Sequence, residues 1–434
     1  MPKPRNQASR NPTSLQLIHV AVVGPAKYCE RQVNVSKPDS PCQPHYDPLS
    51  GYQGRVIGVP IRTDYRRKEA CARDRGASGP LWRMGSRGIV IVMPLGEKKL
   101  IQQIRRSDRR DRDRDGDKDR SVVTGIGDDC AVLRVPPGHE LLVTTDFTIE
   151  KVHFRREWHR PELVGRRCLT RGLSDIAAMG GEPLAAFLSL AVPRDVPQKW
   201  VDRFLKGLLD LAREFKVPLA GGDTAQSAGG IQADIVVVGS VPKGKAVLRS
   251  GAKAGDQIYV TGELGGSAAD LARLMESKAA GAKHFRQSHM LSRPLPRVAV
   301  GRWLRQRGVA SAMIDVSDGL STDLEHICEE SHVGAEIEAE AIPRAQVGSG
   351  GQVGRGEKEL GRKRVSLELA LHGGDDYELL FTSSATIPFK IAGVPVTRIG
   401  RITQSAGMRL IGADGKARPL QALGWEHFRG NQKS

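Results

Sequence analysis

Long apolar runs are missing from this 434-residue chain. Nothing approaches the ~20 consecutive apolar residues that cross a bilayer, which excludes a helical membrane protein. Cysteine is scarce as well. The six are Cys29, Cys42, Cys71, Cys130, Cys168 and Cys328; none forms CxxC, and their spacing fits neither a zinc site nor a disulfide framework. They read as small buried hydrophobes in a reducing compartment, and the chain is expected in the cytoplasm. The apolar stretch LQLIHVAVV (15–23) is interrupted by Gln16 and His19 and lacks a small-residue cleavage pattern, which argues against a secretory signal. Several catalytic signatures are also absent. There is no GxxxxGK[ST] loop, no HRD or DFG element, no HExxH and no GxSxG, which removes P-loop transfer, protein-kinase chemistry, zinc peptidase chemistry and the serine-hydrolase elbow.

Charge, by contrast, is abundant and uneven. Lys and Arg number 66 against 49 Asp and Glu, a formal net charge of +17. Residues 1–92 alone hold 15 basic and 6 acidic residues among scattered Pro, Ser and Gly, and read as a disordered extension without a core of its own. The segment 105–120, RRSDRRDRDRDGDKDR, carries 8 basic and 6 acidic residues with no apolar position, so it reads as solvated surface. Single-strand nucleic-acid binding would want aromatics interleaved with the basic residues, and this segment has none.

From Met93 onward the pattern is globular. A short helix over 93–106 is followed by strands at 131–135 and 141–145, a helix at 161–180 entered through Pro161, a strand at 187–193 and an amphipathic helix at 199–215. Strands at 217–222 and 234–241 complete a first unit, 93–244. A second unit, 245–434, opens with a Gly-rich turn and a strand at 250–262, then a helix at 265–275. It continues with strands at 312–317 and 378–383, a helix at 318–331, and a Gly-, Lys- and Arg-rich surface loop at 344–366. This mixture predicts a two-domain α/β (α+β) protein.

The feature that calls for chemistry is a series of aspartates at strand ends and in glycine turns: Asp128 and Asp129 in GIGDDCAVL, Asp146 in VTTDF, Asp175 in LSDIAAMG, Asp223 in AGGDT, Asp315 and Asp318 in IDVSDGL, Asp375 and Asp376 in GGDDYELL. One Asp beside Gly is usually a cap or turn former. A whole series in apolar settings is different, because carboxylates gathered in a cleft repel unless cations neutralise them. Oxygen-only donors with Thr hydroxyls nearby suit Mg²⁺, a hard ion that commonly also holds substrate phosphates.

These ordered blocks, with TTDFTIEKVHF, LRSGAKAGDQIYVTG and LTRGLSDIAAMGGEP, resemble the thiamine-monophosphate kinase family of the aminoimidazole-ribonucleotide-synthetase-like superfamily over residues 93–434. The resemblance implies transfer of a phosphoryl group from ATP to thiamine monophosphate, directly and in line, as the last step of thiamine diphosphate formation, in a homodimer. Carried over position by position, it implies that Asp129, Thr144, Thr145, Asp146, Asp175, Asp223, Asp315 and Asp318 hold several Mg²⁺ ions. Gly222, Arg249 and Ser317 would contact ATP. His153, Asp375 and Trp425 would contact thiamine monophosphate. Two positions depart from the family pattern, which has Gly where Lys151 stands and Glu where Asp375 stands. The alternatives are another ATP-using superfamily enzyme with a different small acceptor, or a nucleic-acid binder acting through the basic extension.

Overall fold

The computed structural model describes residue 99 and residues 101–106, 121–279, 294–348 and 362–428. The extension 1–92, residues 93–98 and 100 of the expected first helix, the charged run after Arg106 and the centre of the 344–366 segment lie outside the described residues.

The first sheet has four strands. They are β3 (His139–Ile149), β4 (Glu182–Val192), β5 (Leu219–Gln226) and β6 (Gln232–Pro242), in the order β3-β6-β4-β5. β3 and β6 pair antiparallel without a break from His139↔Pro242 to Ile149↔Gln232, and β3 is an edge. Two helices, α1 (Pro161–Ala178) and α2 (Gln198–Glu214), cover one face. Alternation decides which residues they meet: Leu142, Leu188, Leu190, Ile235 and Val237 point inward and pack with Leu169, Leu173, Phe204 and Leu208. The two helices approach closely because each presents a glycine at the crossing. A Cβ on Gly165 would fall 1.9 Å from the Phe204 carbonyl oxygen, and one on Gly207 1.9 Å from that of Glu162. A small hairpin, β1 (Val122–Thr124) with β2 (Val132–Leu133), leans on part of the other face through Val122, Ala185 and Ala220.

The second sheet is built from β7 (Gln257–Thr261), β8 (Ala312–Asp315), β9 (Gly334–Glu338), β12 (Leu379–Ser383), β14 (Val394–Thr403), β15 (Gly407–Ile411) and β16 (Ala417–Pro419), with β13 (Lys390–Ile391) attached to β14. Its order is β16-β15-β9-β14-β7-β12-β8. Helices α3 (Gly266–Ala279), α4 (Val298–Arg307), α5 (Leu320–Ser331) and α6 (Leu367–His372) accompany it. Its core gathers Ile258, Val260, Ile314, Leu320, Leu324 and Leu380.

Helix α1 serves both sheets. Its N-terminal two thirds pack in the first core, whereas Ala177 and Ala178 join Val300, Leu304 and Met313 of the second. The α/β reading therefore holds, with local differences. The strand expected at 131–135 contracts to Val132–Leu133. The helix expected from Asp318 starts at Leu320, because Asp318 and Gly319 form a turn in which Gly319 sits at φ 121°. The segment at 344–366 is entered and left by a two-stranded ribbon, β10 (Gln346–Gly348) against β11 (Arg362–Arg364).

Candidate active site

Thr144 and Asp146 lie two apart on β3, so both side chains face α1. There the Thr144 hydroxyl donates to Asp175 Oδ2. One residue earlier on α1, Ser174 Oγ donates to Asp315 Oδ2 at 2.6 Å, at the end of β8. Asp315 is 3% exposed. Asp318 follows in the next turn, and the Asp323 carboxylate, 1% exposed, holds that turn by accepting the Asp318 and Gly319 amides at 3.2 and 3.1 Å. Carboxylates from both sheets thus meet around the middle of α1.

Their electrostatics follow from crowding and burial. Burial raises the Asp146, Asp175 and Asp318 carboxyls above the ordinary value. Asp315 is pushed up to about 7, by burial first and then by the Asp175 charge. Arg249, exposed in the connection after β6, is near enough to oppose this rise at both Asp175 and Asp315.

Asp375 lies next to this cluster. Its carboxylate accepts from Arg171 Nη2 at 3.0 Å, Arg167 Nη1 at 3.5 Å and the Tyr377 hydroxyl at 2.7 Å. Burial alone would raise this carboxyl, but Arg171 and Arg167 outweigh it and hold it below the usual range. Arg171 also donates to Asp146 Oδ1 at 3.2 Å, so one guanidinium touches both aspartates. Backbone bonds fix the loop: Asp375 N–H to the Ser317 carbonyl and Tyr377 N–H to the Val316 carbonyl, both at 2.8 Å. Asp375 and Tyr377 sit at φ 63° and 54°, left-handed values that side-chain-bearing residues rarely adopt.

His153 enters through a tight turn after β3. Its Nδ1 accepts the Ile149 amide at 2.9 Å, which leaves the ring proton on Nε2. Burial, then Arg171, lower its pKa to about 4, so the ring is neutral and a donor. The turn also explains the Lys151 departure: residue 151 sits at φ 72°, where glycine is preferred. His427 approaches the His153 ring at 5.7 Å, and Trp425, 52% exposed, meets His427 edge-on at 5.6 Å. The Trp425 amide bonds the Asp318 carbonyl at 2.9 Å, which brings the C-terminal segment to the cluster.

The remaining expected site residues are elsewhere. Thr145 points to the opposite face of the sheet, where its hydroxyl donates to Asp234 Oδ1 at 2.6 Å. Asp223 shares that face, being in register with Ser189, which is in register with Asp234. It is exposed, as is Asp129 in the bend after β1. Gly222 precedes Asp223 at φ 142°, and a Cβ there would fall 1.9 Å from the Leu188 carbonyl oxygen, so no other residue fits. Of the eight expected metal ligands, Thr144, Asp146, Asp175, Asp315 and Asp318 are therefore drawn together, and Asp129, Thr145 and Asp223 stand apart from them. Among the described residues, no three His, Cys, Asp or Glu converge tightly enough to hold an ion. The inner donors are nonetheless all oxygen, crowded and raised in pKa, and that chemistry fits a hard divalent cation.

Sequence reasoning missed Arg167, Arg171, Ser174, Tyr377, Asp323 and His427. A signal existed for the arginines: residues 167, 171 and 175 recur every four positions, a charged stripe along one side of a helix that also buries Val164, Cys168, Leu169 and Leu173.

Family comparison agrees with the fold. Residues 127–241 match the AIR synthase related protein N-terminal domain and residues 253–384 the corresponding C-terminal domain. Thiamine-monophosphate kinase of Salmonella typhimurium is 37% identical over 318 residues, covering 71% of this chain and 92% of its own length. The Bacillus subtilis enzyme of that name is 35% identical, covering 71% and 94%. Among solved structures, thiamine-monophosphate kinase from Stenotrophomonas maltophilia superposes with a TM-score of 0.58 at 34% identity, covering 71% of this chain and 96% of that one. AaThiL complexed with AMPPCP and TMP superposes at 0.54 with 30% identity, covering 77% and 97%. With its inner carboxylate cluster, its two matched domains and relatives alike over nearly their full length, the chain belongs to the thiamine-monophosphate kinase family of enzymes.

Proposed function

We propose that the protein phosphorylates thiamine monophosphate to thiamine diphosphate with Mg²⁺ and ATP. The observation that carries this reading is the meeting of Asp146 on β3 and Asp175 on α1 with Asp315 at the end of β8 and Asp318 in the turn after it, beside a recess containing His153 and Asp375. Carboxylates so crowded call for cations, and two phosphate-bearing reactants supply the matching negative charge.

Asp146, Asp175, Asp315, Asp318 and the Thr144 hydroxyl would hold Mg²⁺ on the inner face. Asp129, Thr145 and Asp223 would serve on the outer one. Bound there, Mg²⁺ would offset the repulsion between the phosphates and stabilise charge on the transferring group. Arg249 and the backbone of Gly222, with Ser317, receive ATP. The neutral His153 ring offers its Nε2 proton to an acceptor atom of thiamine monophosphate, and the exposed Trp425 ring offers a face to its cationic thiazolium. No general base is required, since the acceptor is an already ionised phosphate, and this supports direct in-line transfer.

The same reading divides the molecule near residue 245 and makes it a cytoplasmic homodimer. Two observations support the dimer. Strand β3 is a sheet edge, and its outer face exposes Leu141, Val143 and Phe147 at 50, 66 and 55%. A second copy seated there would cover that apolar face around Thr145. Among the described residues, no helix is long and apolar enough to cross a membrane.

The test is formation of thiamine diphosphate from thiamine monophosphate by the purified protein, with and without Mg²⁺. Conversion no faster than the protein-free blank overturns the proposal.

A further inference from the structure

We propose that Arg171, assisted by Arg167, is the residue pair that recognises the phosphate monoester of the acceptor and distinguishes it from the unphosphorylated alcohol. The inference rests on the kinase reading above and deepens it. Both guanidinium side chains are largely buried, at 14 and 15% exposed, and they line a recess with Thr148, His153, His159 and Asp375. Burying one arginine against one carboxylate is ordinary; here two converge on Asp375. Arg171 further spans the gap from Asp375 to Asp146, one of the inner carboxylates.

That span is where the acceptor phosphate has to lie. Its organic part is received at the His153 and Trp425 end, and its oxygen must reach the ATP held at the carboxylate end. Arg171 Nη2 is anchored by Asp375, which the Tyr377 hydroxyl and Arg167 hold in turn. Arg171 Nη1 leans on Asp146 Oδ1, an oxygen that a cation at Asp146 would draw away. The Nη1 edge is then directed to phosphate, whose oxygens match the planar guanidinium fork. Arg167, anchored by Asp375 and the Ser267 hydroxyl at 3.1 Å, adds a second positive charge on the same side.

The experiment compares wild type, Arg171→Met and Arg171→Lys. It measures KM and kcat with thiamine monophosphate, and direct binding of thiamine monophosphate and of thiamine by tryptophan fluorescence without ATP. Arg171→Met is expected to weaken thiamine monophosphate binding about tenfold or more while changing thiamine binding less than about twofold, since only the charged, bidentate contact is lost. Arg171→Lys keeps a charge without the fork and is expected to fall between, with KM moving more than kcat. Equal weakening toward both ligands, or an unchanged KM in either folded variant, overturns the assignment. If Arg171→Met does not fold, Arg171→Lys decides by the same criterion. A wild-type protein that turns over thiamine monophosphate while the variants keep its KM refutes Arg171 alone. A wild-type protein without turnover refutes the kinase reading and this inference with it.

Discussion

The two faces of the first sheet carry neighbouring residues of one short motif into different surroundings. Thr144 and Asp146 turn inward, where α1 and the second sheet crowd them against Asp175 and Asp315. Thr145, between them in sequence, turns outward with Asp223 and Asp234 onto a solvent-exposed surface that also bears Val143 and Phe147. The inner residues are drawn together within one chain. The outer set gains enclosure only when something covers that face, and the proposed second copy does so. A two-residue period in a strand therefore divides an expected ligand set that looks continuous on paper.

The largest effect should come from the inner set. Asp146→Asn and Asp318→Asn are each expected to reduce thiamine diphosphate formation by about a thousandfold or more, because each removes a charge from the proposed centre of phosphoryl transfer. A variant of normal circular dichroism that retains wild-type turnover would break the reading. Next, Thr144→Ala should cost more activity than Thr145→Ala, since the Thr144 hydroxyl fixes the partly buried Asp175 whereas Thr145 is exposed. Equal or reversed losses in kcat/KM would erase the distinction between faces.

The outer face can be probed separately. Val143→Asp puts a charge on the exposed apolar patch and is expected to shift the protein from dimer to monomer in sedimentation velocity, with little effect on the folding of each chain. Unchanged dimerisation would remove β3 from the interface.

Acidity sharpens the comparison further. The inner carboxyls have folded-state pKa values raised above the unfolded ones, Asp315 to about 7. Protons held by the folded state stabilise it fully below about pH 4, and that contribution is lost as pH rises through about 7. Metal-free protein should therefore melt at a lower temperature at pH 8 than at pH 6, and Asp315→Asn should flatten the slope. A melting temperature that rises over this interval would contradict the buried cluster. The smallest expected effect is that of Lys151→Gly, which relieves a left-handed backbone and should raise stability by up to about 1 kcal/mol in urea titration.

Much of the fold was legible because the helical and strand periods were intact. Pro161 opened α1, and Val201, Phe204, Leu205 and Leu208 marked the buried face of α2. The acidic turns were legible for a similar local reason: Asp beside Gly at a strand end stands out from its apolar neighbours. Arg171 was not, since its meaning depends on Asp375, which lies 204 positions away. His427 and Asp323 were missed for the same reason, as one meets the His153 ring edge-on across the chain and the other works only through the Asp318 turn.

The sequence by itself determined the mixed α/β class, most of the element order from β2 to β6, and the family. Only the tertiary structure decided which carboxylates share a cleft, that Asp375 faces two arginines and that Thr145 parts from its neighbours. The physical reason is range. Periodicity and turn chemistry act over a few residues, whereas burial, repulsion and ion pairing depend on which distant segments the packing of α1 brings together.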